Sequence, residues 1–260
     1  MKFALVDGHR REAAPGLSGT CPIHGCPMIA KCGEIRVWHW AHQGSPSCDP
    51  WWETETEWHR SWKGQFPEEW QEVIHQAEQG EKHIADVKTN RGWAIEFQHS
   101  YIKPEERRLR EAFYSRLIWV VHGLRRTRDL DQFTRALHAG RPVGQKQNIR
   151  TVLSDKCTLL REWAGNAAPV FFDFGHEALV WWLLHKSPSN LVYIMPFPRA
   201  EFIGIHRVDV SPEADNFDRL VKEIGSLIAR YESQFRQSPS VPLPSFRKYL
   251  ARRDFRRRRL

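Results

Sequence analysis

The sequence predicts a mixed α/β protein, and three observations carry that reading. Cysteine, histidine, glycine and proline crowd residues 19–50. Period-two apolar alternation and helical patterning succeed one another over residues 51–125. Four β-like apolar runs and one long helical period then fill most of residues 166–245. The expected organisation is a Cys/His segment over 1–50, an α/β core over 51–125 and a helical connector over 126–165. A C-terminal α+β module over 166–245 and a basic tail over 246–260 complete it. At 260 residues the chain is long enough to bury a sizeable core.

Taken in order, residues 1–18 are rich in Arg, Gly and Ala and read as an irregular start. Residues 19–50 form a stretch too short for a core of its own, which normally calls for a staple. Pro50 opens a helix from Trp51 to about Gln65, and Pro67 stops it. Trp70–Ala77 alternates loosely as a strand, and Gln79-Gly80-Glu81 is a turn. His83–Lys88 and Trp93–His99 are strands joined by Thr89-Asn90-Arg91-Gly92, a strong hairpin signal. Pro104 suits the first position of a helix over 104–116, where Glu105 and Glu106 complement the helix dipole. Leu117–Val121 is an unbroken apolar run, as in a strand buried on both faces. The order is helix, three strands, helix, strand.

Residues 126–165 are polar, basic and expected to be helical. The runs PVFFDFG, ALVWWLLH, LVYIMPF and EFIGIHRV then suggest a small antiparallel module, with Trp181 and Trp182 in its core. Asn216–Gln237 has helical periodicity through Phe217, Leu220, Val221, Ile224, Leu227, Ile228 and Tyr231.

Composition narrows the class. No apolar run reaches the roughly 18–20 residues that a bilayer demands. The apolar start from Met1 to Val6 meets Asp7 too early for a signal core. A soluble cytoplasmic protein with no membrane partner is the expectation. The net charge of +8 is concentrated: residues 246–260 carry eight Lys or Arg and one Asp, so they hold +7 of it. Arg252, Arg253, Arg256, Arg257, Arg258 and Arg259 are expected to bind nucleic-acid phosphate without reading sequence, in a salt-dependent way.

Five cysteines, an odd number, argue against a disulfide framework in a reducing compartment. Cys21 with His24 or Cys26, followed by His39 and His42, supplies two short-spaced donor pairs about a dozen residues apart, the spacing of a structural, zinc-finger-like Zn²⁺ site. His24 and Cys26 are alternatives within the first pair, and Cys32 or Cys48 could replace a member. Four protein ligands leave no open position, so this zinc would be structural rather than catalytic.

The hairpin carries a different chemistry. If Asn90-Arg91-Gly92 is a three-residue loop with Gly92 left-handed, Asp86 stands opposite Glu96, with Cβ atoms about 5 Å apart. Two carboxylates so placed repel unless a divalent cation bridges them, and Mg²⁺ favours such oxygen donors. Gln98 shares a strand face with Glu96. On the preceding helix, Glu55, His59 and Lys63 fall on one stripe, so Glu55 could reach the metal and Lys63 a phosphate. His59, His83 and His99 are secondary candidates, better suited to packing or supporting hydrogen bonds. The chain has neither a Walker lysine loop nor a dinucleotide GxGxxG motif.

The stretches CPIHGCPMIAKCG, WHWAH, ETEWHRSWK, HIADV and IEFQHS, then YIKPEERRLREAFY and LIWVV, resemble the competence-protein CoiA-like family over roughly residues 20–125. The resemblance implies a restriction-endonuclease-like core of the PD-(D/E)XK class behind a Cys/His segment. It implies a Mg²⁺- or Mn²⁺-dependent DNA nuclease, associated with competence, DNA processing or recombination. Glu55 would then be the helix glutamate, and Asp86 and Glu96 the metal carboxylates. Gln98 stands where the class usually has lysine; Lys63 or Lys88 could supply the missing charge. The rival expectation is a non-catalytic DNA-binding or recombination-accessory protein that retains a nuclease fold. A nuclease effector in phage defence, with recombination or defence proteins as partners, is a third.

Overall fold

A computed structural model describes residues 1–44, 49–51, 53–77, 80–143, 148–186, 190–207 and 216–237. It is a mixed α/β structure with two sheets and, among the described residues, six α-helices. Contacts divide the chain into Met1–Val221 and Lys222–Leu260. Both sheets lie in the first unit, and the second contains the latter part of the last helix.

The first sheet corrects the reading of residues 1–18 as irregular. Its strands are β1 (Phe3–Val6), β2 (His9–Glu12), β3 (Ser18–Thr20), β4 (Pro27–Lys31) and β5 (His39–His42), in spatial order β2-β1-β3-β4-β5 and antiparallel at every pair. Asp7 and Gly8 both take positive φ, +49° and +78°, which is the two-residue hairpin turn that an Asp-Gly pair favours. Met1, Ala4, Val6, Ala13, Cys21, Met28 and Trp40 bury a common apolar cluster. The segment thus has a small core of its own, drawn from β1, β4, β5 and the chain segments beside them.

The second sheet has nine strands. Helix α1 (Glu57–Lys63) leads into β6 (Gln71–Gln76), β7 (Lys82–Lys88) and β8 (Ala94–Gln98); α2 (Pro104–Phe113) and β9 (Leu117–His122) follow. Next come α3 (Asp129–Ala139), β10 (Arg141–Pro142), β11 (Arg150–Leu153) and α4 (Thr158–Trp163). β12 (Val170–Asp173), β13 (Leu179–Lys186), β14 (Leu191–Pro198), α5 (Arg199–Arg207) and α6 (Asn216–Gln237) complete the chain. The spatial order is β10-β11-β14-β13-β12-β9-β8-β7-β6. β8 pairs parallel with β9, and β9 parallel with β12; the other pairs are antiparallel.

Helix, three strands, helix, strand therefore recurs from α1 to β9. The first helix is shorter than expected: Thr56 caps it, its side chain accepting the His59 N–H, so Glu55 lies just ahead of the helix. α2 stops at Phe113 rather than residue 116. The connector holds strands β10 and β11 as well as helices. β11 to β14 continue the same sheet, joined to the core through β9 and β12. EFIGIHRV was expected to be extended; its first seven residues lie in α5, where Phe202 and His206, four apart, are buried on one side. Trp182 is buried and stacks on Phe171 and Phe217, while Trp181 packs against the main core. The basic tail, including Arg252, Arg253 and Arg256–Arg259, lies outside the described residues, as does Cys48.

Candidate active site

The hairpin turn is the one that the sequence predicts. Thr89 N–H donates to the Trp93 carbonyl, Gly92 N–H donates to the Thr89 carbonyl, and Gly92 has φ +79°. Pairing runs through Lys88↔Ala94 and Val87↔Ile95, so one step further Asp86 is level with Glu96. There a side chain enters the ladder: the Phe97 N–H donates to Asp86 Oδ2 at 2.9 Å. Asp86 is pinned by its neighbour's backbone while about a quarter of its side chain stays open to the cleft beside it.

Glu96 is almost fully buried. Arg110 Nη1 donates to its Oε2 at 3.0 Å, and its Oε1 is buried with no hydrogen-bond partner. Burial, reinforced by the charge of Asp86 and opposed by Arg110, lifts the Glu96 carboxyl to about 8. Burial also raises Asp86, against the pull of Lys63 and His59. Burial is the leading cause at both, so these two adjacent carboxyls favour their neutral forms more than exposed ones would.

Lys63, the last residue of α1, is 1% exposed and ends in a cage of carboxylates. Its Nζ lies 2.6 Å from Glu55 Oε2, 2.8 Å from Glu72 Oε1 and 3.8 Å from Asp86 Oδ1. Burial opposes its charge, but Glu72, Glu55 and Asp86 together raise its pKa. Glu55 is also held by Arg60 Nε at 3.2 Å. Lys88, the other candidate cation, donates instead to His75 at 2.6 Å.

Glu72 was not among the expected residues. It takes φ +47° within β6, and strand alternation fails there, so that Gln71 and Glu72 are both buried and both reach Lys2. Glu72 accepts the backbone N–H groups of Lys2 (2.7 Å) and Phe3 (3.1 Å). Against its burial, Lys63 holds its pKa down to about 2. Val73 pairs with Ala85 and Gln71 with Val87, so Glu72 falls level with Asp86 across β6 and β7.

Gln98 does not face Asp86. Its amide donates to Glu53 Oε2 and to the Ser100 carbonyl, both at 3.2 Å. Glu53, also missed from the sequence, further accepts the N–H groups of His99 and Ser100 and lies 3.4 Å from His59 Nε2. Burial would raise its carboxyl, but hydrogen bonds from His59, Ser100 and His99 hold it down to about 2. His59 is raised in turn, Glu53 and Asp86 outweighing its burial. His83 is a packed histidine, bonded to Asp49 and Glu81 and stacked on Trp51. His99 stacks on His122 and is half-buried.

These side chains line one cleft of about 650 Å³, open mouth included. Glu53, Glu55, His59, Lys63, Glu72, Asp86, Glu96 and Arg110 supply its polar wall, and Met1, Cys21, Ile23 and His42 close it from the first sheet. Glu96 Oε1 and the open part of Asp86 are hard oxygen donors that fit Mg²⁺ or Mn²⁺.

The expected zinc donors are only partly together. Cys21 and Cys26 share a turn, Cys21 N–H donating to the Cys26 carbonyl at 2.8 Å. His42 Nε2 is buried without a partner, and His24 is near enough to help lower the His42 pKa, after burial. His39 is three residues from His42 along β5 and so faces the other way, its Nδ1 bonded to the Val37 carbonyl. Among the described residues, no three His, Cys, Asp or Glu side chains are arranged as a cage for a metal ion. Comparison with protein-family models, curated proteins and solved structures finds no match to the chain.

Proposed function

We propose that the chain is a Mg²⁺- or Mn²⁺-dependent DNA nuclease of the restriction-endonuclease-like class, akin to the CoiA-like family. The observation that carries the reading is the Asp86–Glu96 pair: adjacent, Asp86 part-open and Glu96 buried, with one buried oxygen unsatisfied beside an open cleft. The αβββαβ order from α1 to β9 supports the class. A bound Mg²⁺ would supply an activated water and neutralise charge building on the phosphoryl oxygens.

Around it, Asp86 and Glu96 would be the ligands. Arg110 fixes the Glu96 carboxylate through Oε2 and leaves Oε1 for the metal. Glu55 is engaged by Lys63 and Arg60, so its part is to hold Lys63. Lys63 takes the place of the class lysine as the buried positive charge beside Asp86. Gln98 acts with Glu53 to brace the end of β8, a positioning role. Zinc enters only as a structural ion on Cys21, His24 or Cys26, and His42, a set one donor short once His39 turns away. The basic tail would tether the enzyme to DNA phosphates. Competence, recombination and phage defence are all settings that such an activity fits.

The test is nicking of single- and double-stranded DNA with Mg²⁺ or Mn²⁺ by wild type, Asp86→Ala and Glu96→Ala. The expected outcome is metal-dependent cleavage, reduced at least about a hundredfold in each variant. Equal cleavage in all three proteins would overturn the assignment. DNA binding without cleavage, and without metal uptake at Asp86, would favour the accessory-protein reading.

A further inference from the structure

The arrangement around Lys63 says more than that a lysine is nearby. Four carboxylates, Glu55, Glu72, Asp86 and Glu96, line one cleft, and two buried cations, Lys63 and Arg110, stand against them. Arg60, the other partner of Glu55, is shared with Glu12 near the surface. The partners are shared unevenly: Glu55 and Glu72 are closed on Lys63, whereas Glu96 keeps an oxygen without a partner.

Phosphodiesterases that use two metals place them about 3.5–4 Å apart, clamping the attacking and leaving oxygens. We propose that Lys63 is the built-in second cation of this site: its ammonium occupies, between Glu55, Glu72 and Asp86, the position that a second divalent ion would take. The site therefore accepts a single divalent ion, on the Asp86/Glu96 side. The inference rests on the nuclease reading above and deepens it.

Three features support the assignment. The contacts of 2.6 and 2.8 Å are ammonium–carboxylate distances, well beyond the 2.0–2.1 Å that Mg²⁺ requires. The cage is prebuilt from separate elements, because Glu72, left-handed in its backbone, is held by the backbone donors of Lys2 and Phe3, and Glu55 is held by Arg60. Lys63 itself sits at the end of α1, where its neighbour Trp62 is fixed by an indole bond of 2.7 Å to Asp173. The ammonium cannot swing away without breaking the cage.

The experiment counts Mn²⁺ bound by the full chain, using the electron paramagnetic resonance of free Mn²⁺ and titration calorimetry. Subtracting the count in Asp86→Ala isolates this site from the Cys/His segment. Wild type should bind one Asp86-dependent Mn²⁺, and Lys63→Ala should bind two, the second stabilising its thermal melt. Two Asp86-dependent ions in wild type would overturn the proposal, and that measurement requires no variant at Lys63. A folded Lys63→Ala that still binds one would also overturn it. If wild type binds none, the nuclease reading fails first and takes this inference with it.

Discussion

At the scale of single residues, the site is a problem in charge accounting that the chain solves unevenly. Glu53 and Glu72 are ionised by donors aimed at them, whereas Glu96 and Asp86 are left underpartnered. The two kinds of carboxylate push stability in opposite directions with pH. Glu53 falls from 4.5 to about 2 on folding, so its stabilisation is complete above pH 4.5 and is lost as pH drops towards 2. Glu53→Gln should therefore flatten the fall in stability across that window, measured by urea unfolding at successive pH values; an unchanged slope would show that its donors do not discriminate charge. Asp86, Glu96 and Lys63 were legible because their side chains fall on a predictable hairpin and helix end. Glu72 was not, because the backbone turns left-handed there and period-two counting fails. Arg110 was hidden for a different reason: a helix arginine reads as a solvated charge until its helix is docked on the sheet.

At the scale of elements, the β7–β8 hairpin sets the register on which the site depends. Gly92 is the residue that makes it possible, at φ +79° with nothing within 4 Å of the place where a Cβ would be. A substitution there is penalised by backbone conformation alone. Gly92→Ala should cost about 1 kcal/mol, and Gly92→Asn less, since asparagine tolerates the left-handed region. Equal losses in chemical denaturation would show that something other than conformation is at work. The hairpin and α2 were readable because turn residues and Pro104 mark them directly. The β1–β2 hairpin carried an equally clear Asp-Gly signal, but it was masked by strands of only four residues with polar β2 side chains. α5 was misread because FIGI looks extended until Phe202 and His206 are seen to share a buried side.

At the scale of the whole molecule, the predicted boundary near residue 125 crosses a continuous sheet. β9, fully apolar from Leu117 to Val121, has β8 on one side and β12 on the other, with Val170 opposite Trp119. The long-range partner was invisible because a parallel neighbour some fifty residues away leaves no local pattern. One consequence concerns how the protein can be cut. A fragment ending at Arg125 keeps every residue of the proposed site yet strips β9 of one neighbour, exposing the backbone groups of LIWVV along a bare, sticky margin. Such a fragment should self-associate, seen as large species in light scattering, while the full chain does not; a monodisperse fragment would show that the margin is shielded some other way. The same pairing bears on synthesis. While the ribosome is still making residues 126–169, β9 has β8 but lacks its second mate, β12, and the nascent chain must pass through that interval with one edge of this apolar strand uncovered.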